Sequence, residues 1–364
     1  MVDSIRRLIE CESPSDDHAA VSRSADLVTE LGTLLLGSAP ERIEVEGVAH
    51  LRWRFGSSTR VLLLAHHDTV WPLGTLRRLP YGVRGGVLSG PGSFDMKTGL
   101  AMALHAVAAL EDRDGVTILV TGDEELGSPR SRALIEETAR GASAALVLEA
   151  SADGGALKTE RKGVALYEMV VSGRAAHAGL EPEKGVNAGV ELAHLIIAAA
   201  ALSDASAGTS VTPTLAASGT TTNTVPAEAR VRIDVRARTI AELERVDSAL
   251  RGYTCVVPGA GVDVRGGVNR PPLELGMSAP LFALAAKVAD RLGLAPLRQA
   301  AVGGASDGNF TAGLGVTTLD GLGAVGGGAH ADDEHALVAE IVPRTRLLTE
   351  LVAEISRTEE PWHN

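Results

Sequence analysis

His66, Asp95, Glu125, Glu149 and His330 are the side chains of this 364-residue sequence whose types and placement suit metal ions. Three of them stand where a short apolar run stops. Arg60-Val61-Leu62-Leu63-Leu64-Ala65 ends in His66-His67-Asp68, Val116 to Val120 ends in Thr121-Gly122-Asp123-Glu124-Glu125, and Ala144 to Leu148 ends in Glu149. Asp95 follows the loop Gly90-Pro91-Gly92-Ser93-Phe94 and precedes a helical pattern, and His330 lies in Gly326-Gly327-Gly328-Ala329-His330-Ala331-Asp332. Five imidazole and carboxylate donors suit two divalent ions that share one carboxylate. Such a pair, about 3.5 Å apart, polarises a carbonyl and yields hydroxide from water near neutral pH. Singly, a strand-end His or Asp is more often a cap, and Glu124-Glu125 reads as a solvated turn. The metal reading rests on recurrence at strand ends, beyond which open α/β sheets bind ligands.

Other motifs fail on their context. Gly321-Leu322-Gly323-Ala324-Val325-Gly326 matches a dinucleotide fingerprint by letter, but more glycines and a histidine follow it where a helix is required. Met96-Lys97-Thr98 ends like a phosphate loop with Met96 where the glycine belongs. No H-E-x-x-H and no G-x-S-x-G occurs, so a thermolysin-style zinc site and a serine-hydrolase elbow are not supported.

The elements that must position these residues alternate. A short helix stops at Ser13-Pro14-Ser15, and an amphipathic pattern runs from about Asp17 to Leu36. The three apolar runs read as buried strands, and Leu100 to Leu110 reads as a helix packed on them, which together predict a mainly parallel α/β sheet. After Lys162-Gly163 the texture changes. Ala165 to Ser172 alternates, Gly185 to Leu202 is helical, and Glu228 to Arg238 sets Val231, Ile233 and Val235 against Arg230, Arg232, Asp234 and Arg236. Such alternation marks strands with one wet face. A helix at about 240–250 and a strand near Val262 complete a small α+β domain over 163–268. It is inserted into an α/β domain made of 1–162 and 269–364, which closes with a helix around 342–355.

Composition narrows the partners. The chain is 45% hydrophobic and 22% charged, as in ordinary globular proteins, and its net charge of −12 argues against a nucleic-acid partner. No run approaches the roughly 18 apolar residues of a membrane span, nor does the start look like a signal peptide. Cys11 and Cys255 are too few and too far apart for a disulfide framework or thiolate site, which makes a reducing cytoplasm the expected location.

Taken together, the segments Leu64 to Val70, Gly90-Pro91-Gly92 to Lys97, Thr121 to Ser128, Leu148-Glu149, Gly173-Arg174-Ala175-Ala176-His177-Ala178-Gly179 and Gly328-Ala329-His330 resemble the M20 zinc exopeptidase family. That family includes the carboxypeptidase G type, succinyl-diaminopimelate desuccinylase, acetylornithine deacetylase and aminoacylase-1. The segments run in family order across nearly the whole chain.

The resemblance implies a dinuclear catalytic domain, with two Zn2+ per subunit (Co2+ or Mn2+ as substitutes) and a dimerisation or lid domain. It places His66 and Glu149 on one ion and Glu125 and His330 on the other, with Asp95 bridging. Asp68 would fix the His66 tautomer, and Glu124 would be the general base. His177 would reach a site from the lid, in the same or the partner subunit, to stabilise the oxyanion. Asn223 and Arg236 would grip a substrate carboxylate. His67, between two site residues, reads as structural. Glu149, where family aminopeptidases tend to have Asp, tilts the reading toward carboxypeptidases and deacylases. The expected enzyme is a homodimeric amidohydrolase acting on a small peptide or N-acyl amino acid, beside a free carboxylate. The alternatives are a dipeptidase or aminopeptidase of the same family, or an idle homologue serving as a binding module.

Overall fold

The computed structural model describes residues 1–358; the predicted catalytic range runs on to 364, and 359–364 lie outside the described residues. The chain divides into two compact units, Met1–Arg161 with Leu273–Asn364, and Lys162–Pro272.

The first unit is built on a six-stranded sheet in the order Glu41–Val45, Val48–Arg54, Val116–Thr121, Val61–His66, Ala144–Val147, Thr317–Leu319. Val61–His66 runs parallel to both of its neighbours, and Thr317–Leu319 extends the parallel part. The first two strands form an antiparallel hairpin on one side. Its two-residue turn, Glu46-Gly47, has positive φ at both positions, as the tight hairpin turn that follows strand twist requires.

The central strands are unbroken apolar runs because both faces of the sheet are covered. Leu63, Ile118 and Leu146 face a core built with Leu100, Leu104, Leu348 and Leu351 from the helices Thr98–Ala108 and Val338–Arg357. Leu62, Leu64, Leu119 and Ala145 face Leu134, Ile135 and Phe310 on the other side. Each such leucine withdrawn from water contributes roughly 1.5–3 kcal/mol. The mainly parallel α/β architecture read from the sequence is the one observed.

The second unit is a four-stranded antiparallel sheet, ordered Ser210–Ser218, Glu228–Ala237, Gly163–Ser172, Gly261–Arg270. Helices Ala188–Ala200 and Ile240–Arg251 bury Leu192, Leu195, Leu243 and Val246 against Tyr167, Met169, Val231, Ile233 and Val235. Arg230 and Arg232 on the other face stay exposed.

Several elements were not read from the sequence, among them one strand, one helix and one hairpin with evident reasons. The strand Ser210–Ser218 carries Pro213 and an exposed outer stretch, which the structure reconciles by making it an edge strand with a register shift after Pro213. The helix Leu275–Arg291 holds Pro280 near its start, and the hairpin 41–54 mixes charge into its alternation. The closing helix begins at Val338, four residues before the sequence suggests, and continues through Pro343. Among the described residues, no helix is long and apolar enough to cross a membrane.

Candidate metal centre

The carboxyl ends of the parallel strands deliver His66, the Glu124-Glu125 turn and Glu149 to one point of the first unit. His66 is the last residue of its strand, and its Nε2 lies 3.3 Å from Asp95 Oδ1 and 3.5 Å from Glu149 Oε1. His330 Nε2 lies 3.4 Å from Asp95 Oδ2 and 3.2 Å from Glu125 Oε2. The two oxygens of Asp95 therefore face different histidines. Ligand atoms of His66, Asp95 and Glu125 converge within 4.8 Å, as do those of His66, Glu124 and Glu149. Glu124 thus stands as near the cluster as the residues expected to be ligands.

Close backbone packing sets the Glu149 strand end. A Cβ on Gly99 would stand 2.0 Å from the Leu148 carbonyl oxygen, and one on Gly323 would stand 2.2 Å from the same atom. Gly323 is the middle glycine of the false dinucleotide fingerprint, so that motif serves packing here.

Asp68 is fully buried and works on three segments. Its Oδ2 accepts from Ser15 Oγ (2.6 Å) and Glu125 N (3.2 Å), and its Oδ1 accepts from Glu124 N (3.3 Å). The His66 Nδ1 lies 3.3 Å from Asp68 Oδ1 and 3.0 Å from the Asp68 carbonyl oxygen, which leaves Nε2 to face the cluster. His67 points away, its Nε2 3.0 Å from the Ala49 carbonyl oxygen in the core.

The cluster draws positive charge. Contacts with Asp95 and Glu125 push the His330 ring up to about 10. Burial works against charge on His66, but the carboxylates of Asp68, Asp95 and Glu149 hold its ring well above ordinary imidazole. Burial likewise opposes ionisation of Asp95, yet His330 and His66 keep its carboxyl well below the usual range. Burial, with the Asp95 charge beside it, pushes Glu125 up to about 7.

The donor set fits divalent cations on two counts. Two imidazoles and several carboxylates are the ligands of zinc, cobalt and manganese. The atoms His66 Nε2, Asp95 Oδ1 and Glu125 Oε1 are buried without a hydrogen-bond partner, a condition native proteins seldom leave unless an ion or water completes it.

Three contributors escaped the sequence reading. Ser15 lies in a helix-breaking Ser-Pro-Ser. Arg161 reads as part of a solvated charge run, Glu160-Arg161-Lys162, but its buried guanidinium donates to Asp320 Oδ2 (2.6 Å) and the Gly304 carbonyl (3.0 Å), with Nη2 3.8 Å from Glu149 Oε2. Glu334 reads as the end of an acidic surface run, yet it is buried beneath the Asp95 loop. Of the three, only Glu334 carries a sequence signal, its nearness to His330.

The second unit carries the remaining candidates. His177 is exposed, and its Nδ1 accepts from Gly179 N and Leu180 N, both at 3.1 Å. In the neutral ring the proton then sits on Nε2. Asn223 lies beside it, its carbonyl accepting from Ala178 N at 2.9 Å. Arg236 is already engaged by Asp234, through Nε at 2.8 Å and Nη2 at 2.9 Å, a partner the sequence reading did not assign.

Comparison with known proteins gives the family and the fold. The sequence profile of Peptidase family M20/M25/M40 matches residues 62–354. Carboxypeptidase G2 of Pseudomonas sp. (strain RS-16) is 29% identical, covering 94% of this chain and 86% of its own. Succinyl-diaminopimelate desuccinylase of Caulobacter vibrioides is 27% identical over 84% of each. The crystal structure of aminopeptidase PepT from Bacillus cereus superposes with a TM-score of 0.74 at 22% identity, over 98% of both chains, and shares the fold.

Proposed function

The chain belongs to peptidase family M20/M25/M40, a family of metal-dependent hydrolases, and we propose that it uses two Zn2+ to hydrolyse an amide bond beside a free carboxylate. One observation carries the reading: Asp95 turns one oxygen to His66 and the other to His330, the disposition of a carboxylate shared by two ions. His66 with Glu149 and His330 with Glu125 would complete the two sets, and Co2+ or Mn2+ would fit the same donors. Bound there, the ions would polarise the scissile carbonyl and acidify water.

The chain's own residues do the rest. Asp68 holds the His66 ring and the backbone of the Glu124-Glu125 turn. Glu124 takes a proton from the attacking water as its oxygen bonds the carbonyl carbon, then delivers it to the nitrogen as the C–N bond breaks. The products are a carboxylate and a free amine. His177 donates from Nε2 to the developing oxyanion. Asn223 and Arg236 bind the substrate's carboxylate, which has to compete with Asp234 for the guanidinium.

The relatives are named for removing a C-terminal residue and a succinyl group, which supports an N-acyl amino acid or a C-terminally cleaved peptide as substrate. A homodimer through the second unit is supported by the edge strand Ser210–Ser218 with Leu215 62% exposed, and by Ile197 (70%) and Val190 (47%) on the adjacent helix. The testing experiment screens N-acyl amino acids and dipeptides with metal analysis on the same preparation. Amine release from carboxylate-bearing acyl amides by a two-metal protein is expected. Preference for a free amino terminus would favour a dipeptidase. No amine release and less than one ion per subunit would leave an idle binding module.

A further inference from the structure

We propose that Glu334 is a positioning residue: its carboxylate locks the Asp95 loop to the His330 loop and so sets the affinity of the ion on the Glu125–His330 side. The inference rests on the two-ion reading above.

Glu334 is 3% exposed. Its Oε1 accepts from Phe94 N and Asp95 N, both at 2.9 Å, and its Oε2 accepts from Gly92 N (2.8 Å) and Trp71 Nε1 (2.7 Å). Four donors on one buried carboxylate are charge-assisted bonds, stronger than neutral ones. They come from segments that carry donors of the cluster: Trp71 lies five residues after His66, the three amides belong to the loop that ends at Asp95, and His330 is four residues upstream in Glu334's own loop.

The register of a small sheet puts the carboxylate there. His335–Leu337 pairs antiparallel with Val87–Ser89, with His335 opposite Ser89, so Glu334 and Gly90 leave the sheet side by side. His330 itself has φ +62 in a loop bounded by this pairing, and its side chain is half exposed. The His330 ring is thus half open to solvent, whereas His66 is buried at the end of its strand. The two sides of the cluster are therefore unequal. Glutamine at 334 keeps the shape, but its amide nitrogen presents hydrogens to two donor groups, which pushes the loops apart.

The test uses the full chain stripped of metal and titrated with Zn2+ against a chromophoric chelator, with thermal melts of the stripped protein. In Glu334→Gln the second Zn2+ should bind about 10–100-fold more weakly while the first changes far less, as loss of an orienting partner predicts. Trp71→Phe, which removes one of the four donors, should shift the second ion in the same direction by less. Wild-type affinities in a folded Glu334→Gln protein overturn the proposal, and so does equal weakening of both ions. If Glu334→Gln does not fold, Trp71→Phe decides: a weaker second ion supports the proposal and an unchanged one overturns it. A wild-type chain that takes up no Zn2+ fails the two-ion reading itself, which the wild-type titration alone reports.

Discussion

Replacing Glu124 by glutamine separates a proton shuttle from a ligand, the one assignment that the crowding of the cluster leaves open to challenge. Glu124 is buried, and an oxygen of its carboxylate lies within 4.8 Å of ligand atoms on His66 and Glu149. Its backbone is held independently, with N donating to Asp68 Oδ1 (3.3 Å) and its carbonyl accepting from Gly127 N (2.8 Å). Glutamine keeps both backbone bonds and nearly the same side-chain volume, and loses the negative charge and with it the capacity to take a proton. A positioned general base supplies about 10²–10⁴ in rate, so the barrier should rise by about 2.7–5.4 kcal/mol at 1.36 kcal/mol per decade. The loss should appear in kcat with KM little changed, measured as initial rates of amine release on the best substrate of the screen. Elemental analysis of the same sample should return wild-type metal content. A variant that loses an ion would make Glu124 a ligand, and near-normal turnover would remove it from the chemistry.

Three further outcomes follow from the same geometry. Asp68→Asn, which puts an amide nitrogen among donors, should weaken Zn2+ binding about 10–100-fold in a chelator competition and lower the melting temperature; unchanged binding would show that other contacts orient His66. Zn2+ affinity should rise with pH, because the metal-free His330 ring sits up at about 10 and His66 well above ordinary imidazole, so each ion must displace protons that become easier to remove as pH increases. An affinity that stays flat from about pH 6 to pH 8 would contradict the assigned ligands. His177→Ala should depress kcat without changing metal content, and normal turnover in that variant would exclude the ring from the reaction.

The parts of the fold legible in the sequence are those where burial is one-sided or complete. Val61-Leu62-Leu63-Leu64 declares a central parallel strand because both of its faces need apolar cover, and Val231, Ile233 and Val235 declare a half-wet one by alternation. Ser210–Ser218 declares nothing, since an edge strand with Pro213 and an exposed outer face has neither pattern. Leu275–Arg291 is hidden for a related reason: Pro280 in its second turn resembles a terminator.

The site divides along a different line. Residues that would touch an ion or a proton are legible by recurrence, because imidazoles and carboxylates gather at successive strand ends although each alone is more often a cap. Residues that hold them are legible only through the family resemblance, as Asp68 is, or not at all, as Glu334 is, because their work is done on backbone amides that leave no trace in the letters. Asp68 collects the amides of Glu124 and Glu125 from one side of the cluster, and Glu334 collects those of Gly92, Phe94 and Asp95 from another. Both are buried acids whose desolvation has to be offset by those same amides, so neither can drift without freeing a ligand loop. It follows that a chain could keep His66, Asp95, Glu125, Glu149 and His330 intact and still bind an ion more weakly through a single change at Asp68 or Glu334. A motif of donors is therefore a sound guide to chemistry only when the carboxylates beneath their loops are read with it.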